Sequence, residues 1–184
     1  LIPSPSYSLW TNAAYLAGAT PVFYRCHQEN NWQPDPDEIR AQITDRTRAL
    51  LIINPNNPTG VIYGTELLEQ LVEIARENKL LIFSDEIYDR LLLGDGKHVS
   101  TASLCPDLPV VTLNGLSKSH VVCGFRCGWM CISGPEGDGG LQGGADCSGL
   151  HASVRQRPDS VGDSCGPGGY SLYPGYDGTR RPAL

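Results

Sequence analysis

The sequence predicts an α/β fold of three layers, α/β/α, around a mostly parallel sheet. Three short apolar runs carry that reading: residues 49–53 (ALLII), 80–84 (LLIFS) and 109–113 (PVVTL). Runs of this length without polar alternation mark strands buried on both faces. Between the first two lies an amphipathic stretch, residues 65–79. It sets Leu67, Leu68, Leu71, Val72, Ile74 and Ala75 on one face, with Glu66, Glu69, Glu73 and Arg76 left for water. Buried strands joined through such helices form parallel sheets covered on both sides. The remaining elements follow in order. Residues 21–26 (PVFYRC) read as a strand, and 35–43 (DPDEIRAQI) as a short helix with acidic residues in its first turn. Residues 126–132 give a fourth strand of the sheet.

The chain has 184 residues, enough for one domain with a sizeable core. Its 40% apolar and 18% charged residues exclude a disordered or fibrous protein. Against 14 Lys and Arg stand 20 Asp and Glu; a net charge of −6 argues against nucleic-acid and anionic-membrane partners, which need a basic face. No apolar stretch approaches the ~20 residues of a membrane helix. The chain opens on Leu1 with no basic-then-apolar leader, so it reads as an internal piece of a longer protein.

Seven cysteines are too irregular for a disulfide framework, and Cys123, Cys127 and Cys131 lack zinc-pair spacing. Reduced thiols in a cytoplasmic protein, with no metal site, are expected; His27, His98, His120 and His151 form no i, i+4 pair. Composition breaks near residue 134. The segment from there to Leu184 holds 13 of the 21 glycines and no Ile, Phe, Met, Trp or Lys, too little apolar surface to offset the entropy of ordering. The expected division is therefore a folded part, 1–135, and a Gly-rich tail, 136–184, disordered or produced by a frame shift near residue 137.

Ligands of open α/β sheets bind beyond the carboxyl ends of the strands. After the first run comes Asn54-Pro55-Asn56-Asn57-Pro58-Thr59-Gly60; after the second, Asp85-Glu86-Ile87-Tyr88-Asp89; after the third, Asn114-Gly115-Leu116-Ser117-Lys118. An amide, a carboxylate with a phenol, and an amine thus meet at one sheet edge. Arg126, eight residues past Lys118, suits a phosphate clamp. An amine able to form a Schiff base, a phosphate clamp, a carboxylate for a pyridinium nitrogen and a phenol are the components that pyridoxal 5'-phosphate requires.

NPNNPTG, DEIYD, NGLSK and GFRCGW, in that order, resemble the class I/II aminotransferases of pyridoxal-phosphate fold type I, and within them the alanine (glutamate–pyruvate) branch, through LIPSPSYSLW and IINPNNPTGVIY. The resemblance covers residues 1 to about 135, part of the large domain. It implies that Lys118 is the Schiff-base lysine and proton shuttle, and that Asp85 pairs with the pyridinium nitrogen. Tyr88 and Asn57 would bond the ring's 3' oxygen, Asn57 also nearing the substrate carboxylate, while Arg126 clamps phosphate and Tyr7 stacks on the ring.

Each residue has a plainer reading. Lys118 could be a solvated loop residue, Asp85 a helix N-cap, Asn57 a turn former, Tyr88 core packing, and Arg126 one half of a surface ion pair. Trp10 rivals Tyr7 for the stacking role. A Ser117–Lys118 dyad is set aside because neighbours on a strand point to opposite faces.

The resemblance further implies transfer of an amino group from an amino acid, alanine foremost, to a 2-oxo acid, and a homodimer when full length. It also marks what is missing: an upstream glycine-rich phosphate cradle and the C-terminal small domain with its carboxylate-binding arginine. Gly115 stands where many relatives carry a phosphate-binding Ser or Thr, and His120-Val121 replaces an aromatic-Arg pair. The alternatives are another pyridoxal-phosphate enzyme of the same fold, a C–S lyase or aldolase, and a non-catalytic remnant.

Overall fold

The computed structural model describes residues 1–92 and 94–135, with the backbone of 152–155. Its larger sheet has five strands in the order β4 (Ala49–Ile53), β5 (Leu81–Asp85), β6 (Val110–Gly115), β7 (Cys127–Ser133) and β8 (Ala152–Arg155). A smaller sheet orders β1 (Ile2–Ser4), β2 (Phe23–His27) and β3 (Gln33–Pro34). Leu1 joins the two, donating its nitrogen to the Ala49 carbonyl at 2.7 Å and accepting from the Leu51 N–H at 3.0 Å.

Strand β4 is buried on both sides, as its sequence requires, and it separates two cores. Leu50 and Ile52, with Ile82 and Val110, pack against Leu68, Leu71, Ile74 and Ala75 of α3 (Thr65–Glu77). Leu51 and Ile53 face the other way, with Phe83, towards Trp10 and Ala14 of α1 (Ser8–Leu16). Alternate residues of one strand therefore build the α/β/α layers. Helix α2 (Pro36–Gln42) starts where a helix should: Asp35 caps it by accepting from the Asp37 N–H at 2.8 Å, and Pro36 fills the first turn.

Three features depart from the sequence reading. The sheet is mixed: β4, β5 and β6 are parallel, but β7 runs antiparallel to β6 and β8 antiparallel to β7. Only the four-residue helix α4 (Leu116–Ser119) and a 3-10 turn, Cys123–Phe125, join β6 to β7, and neither carries the chain back across the sheet as a parallel crossover must. Helix α1 was unanticipated; it has no side-chain cap, no acidic first turn and no fully buried residue, so its helical signal is weak. Lys118 and Ser117 sit on α4, not on a strand. The expected tail, 136–184, lies outside the described residues apart from β8.

The core on the α3 side makes a direct prediction. Leu71 is fully buried, so Leu71→Ala is expected to cost about 3 kcal/mol of unfolding free energy through lost transfer energy and a residual cavity. Urea denaturation followed by circular dichroism measures it; a loss below about 1 kcal/mol would contradict this packing.

Candidate active site

The parallel register decides what meets at the sheet edge. Asp85 is paired with Ile53 on one side and Leu113 on the other, so β4 and β5 end level beside Leu113, two residues before β6 ends, and the following loops converge. The loop after β4 is fixed by two of its asparagines. Asn54 Oδ1 accepts from the Tyr63 N–H at 2.9 Å, and Asn56 Oδ1 accepts from the Thr59 hydroxyl at 2.9 Å; both residues are buried. Gly60 closes the loop at φ +73°, a conformation glycine adopts without steric cost. Asn57, the third asparagine, is left half-buried at the sheet edge, its Nδ2 reaching the Tyr88 hydroxyl at 3.5 Å.

A cavity of about 280 Å³ opens here. Tyr7, Trp10, Asn57, Asp85, Tyr88 and Lys118 line it, over a base that includes Ile53 and Leu113. The Lys118 ammonium nitrogen stands 5.7 Å from the centre of the Tyr88 ring. Trp10 donates its indole N–H to Asp85 Oδ2 at 2.7 Å, while Asp85 Oδ1 accepts from the Ile87 N–H at 3.3 Å. A second cavity, of about 230 Å³, shares Ile87 and Asn114 with the first and is lined also by Gly115, Ser117 and Arg126. Arg126 is exposed and donates to the Cys123 carbonyl at 2.9 Å. A larger cavity of about 680 Å³ lies between α1 and the sheet; its lining is mostly aliphatic, with Arg46 and Arg48 at its margin.

The family profile described as Aminotransferase class I and II matches residues 1–142. The chain is 53% identical over 136 residues to an alanine aminotransferase of Mycobacterium tuberculosis, covering 74% of this chain and 32% of that protein. To the glutamate-pyruvate aminotransferase AlaA of Escherichia coli it is 54% identical, covering 74% of this chain and 34% of the relative. Among solved structures, an alanine aminotransferase from Pyrococcus furiosus superposes with a TM-score of 0.71 at 47% identity, over 74% of this chain and 35% of that one. The chain belongs to the class I and II aminotransferases. It spans about a third of the length of these relatives.

In this aminotransferase chain the structure brings five of the six expected site residues, Tyr7, Asn57, Asp85, Tyr88 and Lys118, to one cavity, and sets Arg126 in the adjoining one. Two neighbours were not foreseen in these positions. Trp10, read from sequence only as a stacking rival, holds the Asp85 carboxylate; Ser117, read only as half of a hydrolase dyad, joins Arg126. The helical turn of α4 explains the second, since it turns the side chains of Ser117 and Lys118 about 100° apart and into different cavities.

Aminotransferases of this family use pyridoxal phosphate, and the residues present fit it. The first cavity gathers an amine, a carboxylate, a phenol and an amide. The second sets a guanidinium and a hydroxyl beside two glycines, donors suited to a phosphate. A Cβ on Gly115 would stand 2.9 Å from the Cys127 carbonyl and 3.2 Å from the Gly128 Cα, so this end of β6 lies close against β7.

Burial pushes the Asp85 carboxyl above the ordinary aspartate range, and the bonds from Trp10 and the Ile87 N–H only partly offset this. The native state therefore holds the Asp85 proton more tightly than the unfolded chain. The linked stability is lost as pH rises from the unfolded value through the raised folded one. Asp85→Asn is accordingly expected to stabilise the cofactor-free chain at neutral pH, with an advantage that shrinks as pH falls to ~4. Urea titrations across that range measure the difference; an Asn variant less stable at neutral pH would contradict it.

Proposed function

We propose that the protein to which this chain belongs is a pyridoxal-phosphate-dependent transaminase that moves an amino group from alanine to a 2-oxo acid. The observation that carries this reading is the shared cavity of Lys118, Asp85, Tyr88 and Asn57 in a chain more than 50% identical to an alanine aminotransferase and to a glutamate-pyruvate aminotransferase. An aspartate aminotransferase of Geobacillus stearothermophilus is 41% identical, which favours alanine over aspartate as the donor.

When bound, pyridoxal phosphate supplies an electron-poor ring that stabilises the carbanion left at the substrate Cα. The protein's own groups set up that chemistry. Asp85, backed by the Trp10 indole, offers a carboxylate to a protonated ring nitrogen and so keeps the ring electron-withdrawing. Tyr88 and Asn57, within 3.5 Å of each other, both donate to the ring oxygen. Lys118 would hold the cofactor through its amine, and as a free amine it would serve as the base that takes the proton from the substrate Cα. Arg126 and Ser117 hold the phosphate, and Tyr7 covers a ring face.

In the overall reaction the donor amino acid would become its 2-oxo acid and the acceptor 2-oxo acid its amino acid, one amino group passing between them. Family resemblance supports a homodimer acting in the cytoplasm. Tyr15 and Leu16 of α1, both exposed, offer apolar surface of the kind that association covers. No helix among the described residues is long and apolar enough to cross a membrane.

Borohydride reduction with pyridoxal phosphate, followed by peptide mapping, tests the assignment. The chain has three lysines, and Lys79 and Lys97 are exposed. Label is expected on Lys118 and is expected to vanish in Lys118→Ala. Equal label on all three lysines would sink the reading.

A further inference from the structure

Directly behind Asp85, on the opposite side of β5, lies a buried polar cluster that the proposed chemistry does not use. Glu86 is 4% exposed. Its Oε1 accepts from the Ser84 hydroxyl at 2.8 Å, the Ser100 hydroxyl at 3.0 Å and the Thr101 N–H at 3.1 Å. Its Oε2 lies 3.1 Å from His98 Nε2. Burial alone would raise the Glu86 carboxyl; the bonds from His98, Ser84 and Thr101 outweigh it and hold the group below the usual glutamate range. An ionised Glu86 only accepts, so His98 Nε2 donates, leaving the buried Nδ1 without a partner.

The backbone couples this cluster to the cavity. Glu86 N–H donates to the Leu113 carbonyl at 2.9 Å, and its own carbonyl accepts from the Asp89 N–H at 3.0 Å, closing the turn that carries Tyr88. The Asp85 carbonyl accepts from the Asn54 N–H at 3.0 Å, at the start of the loop that carries Asn57. Successive side chains at a strand end point to opposite faces, so the peptide that buries Glu86 also aims Asp85. A buried carboxylate with four donors has no second orientation of comparable energy.

We infer that Glu86 and His98 are positioning residues. Their anchor on the far face of β5 fixes the strand end so that the Asp85 carboxylate and the Tyr88 phenol face the cofactor cavity. The relevance to cofactor rests on the function proposed above; the geometric claim does not.

The test reads Asp85 through Trp10. In the full 184-residue chain, without cofactor, the Trp10 indole N–H resonance, assigned by its loss in Trp10→Phe, reports the bond to Asp85. Glu86→Ala is expected to move it towards its position in Asp85→Ala. Glu86→Gln, whose amide oxygen still accepts from Ser84, Ser100 and Thr101, is expected to leave it near the wild-type position. A Glu86→Ala chain that melts at lower denaturant while its resonance stays in place would show a merely structural role and overturn the inference. Should that variant not fold, His98→Phe decides on the same resonance: displacement supports the anchor and an unmoved signal overturns it. Absence of label on Lys118 in a wild-type chain whose resonance responds would defeat only the cofactor reading. Labelling without any response would defeat only the anchor.

Discussion

The shared register of β4, β5 and β6 at Ile53, Asp85 and Leu113 is the constraint on which the site depends. Asp85 takes its place between Ile53 and Leu113 because three parallel strands hold one register, and that register is held by their burial. Leu50, Ile52, Ile82 and Val110 must all face α3, while Leu51, Ile53 and Phe83 must face α1. A slip of one residue would invert both sets and put Glu86 where Asp85 stands. Asn57, Tyr88 and Lys118 then follow from short connections leaving aligned strand ends. The hydrophobic cores thus place the polar groups of the site, and Trp10 of the second core touches one of them directly.

That placement has an electrostatic consequence. A carboxylate is kept in a partly desolvated recess with one indole N–H and one backbone N–H for company, which leaves it short of compensation. A cationic ring nitrogen, on the proposed function, would supply what is missing and so link binding to stability through the same atom. Glu86, one residue on, is the contrasting case: more deeply buried, yet given four donors and held ionised. Adjacent acids on one strand end are thereby separated into an under-solvated group open to a ligand and a saturated one closed to it. This is the pattern expected where function is favoured over local stability.

Much of this was legible in the sequence, for reasons that can be named. ALLII and the amphipathic face of α3 encode burial directly, and the polar residues after each apolar run are necessarily at the strand ends. Direction was not plain from composition: the residues of β7 are alike in burial on both faces, and the shortness of its connection to β6 makes it antiparallel. Helix α1 escaped because SLWTNAAYL lacks a cap, an acidic first turn and a strong apolar stripe. Missing α1 hid the role of Trp10, since its contact with Asp85 spans 75 residues of sequence and exists only once α1 packs across β5. Treating Ser117 and Lys118 as strand neighbours gave the right separation of their side chains for the wrong local geometry.

The central claim is that Asp85 acts on a ring nitrogen from a fixed strand end. Nitrogen-15 NMR of the chain loaded with ring-labelled pyridoxal phosphate addresses it most directly. The account predicts a protonated ring nitrogen at neutral pH, converted to the unprotonated form by Asp85→Asn. A ring nitrogen that is unprotonated in the wild-type chain, or indifferent to that substitution, would contradict it.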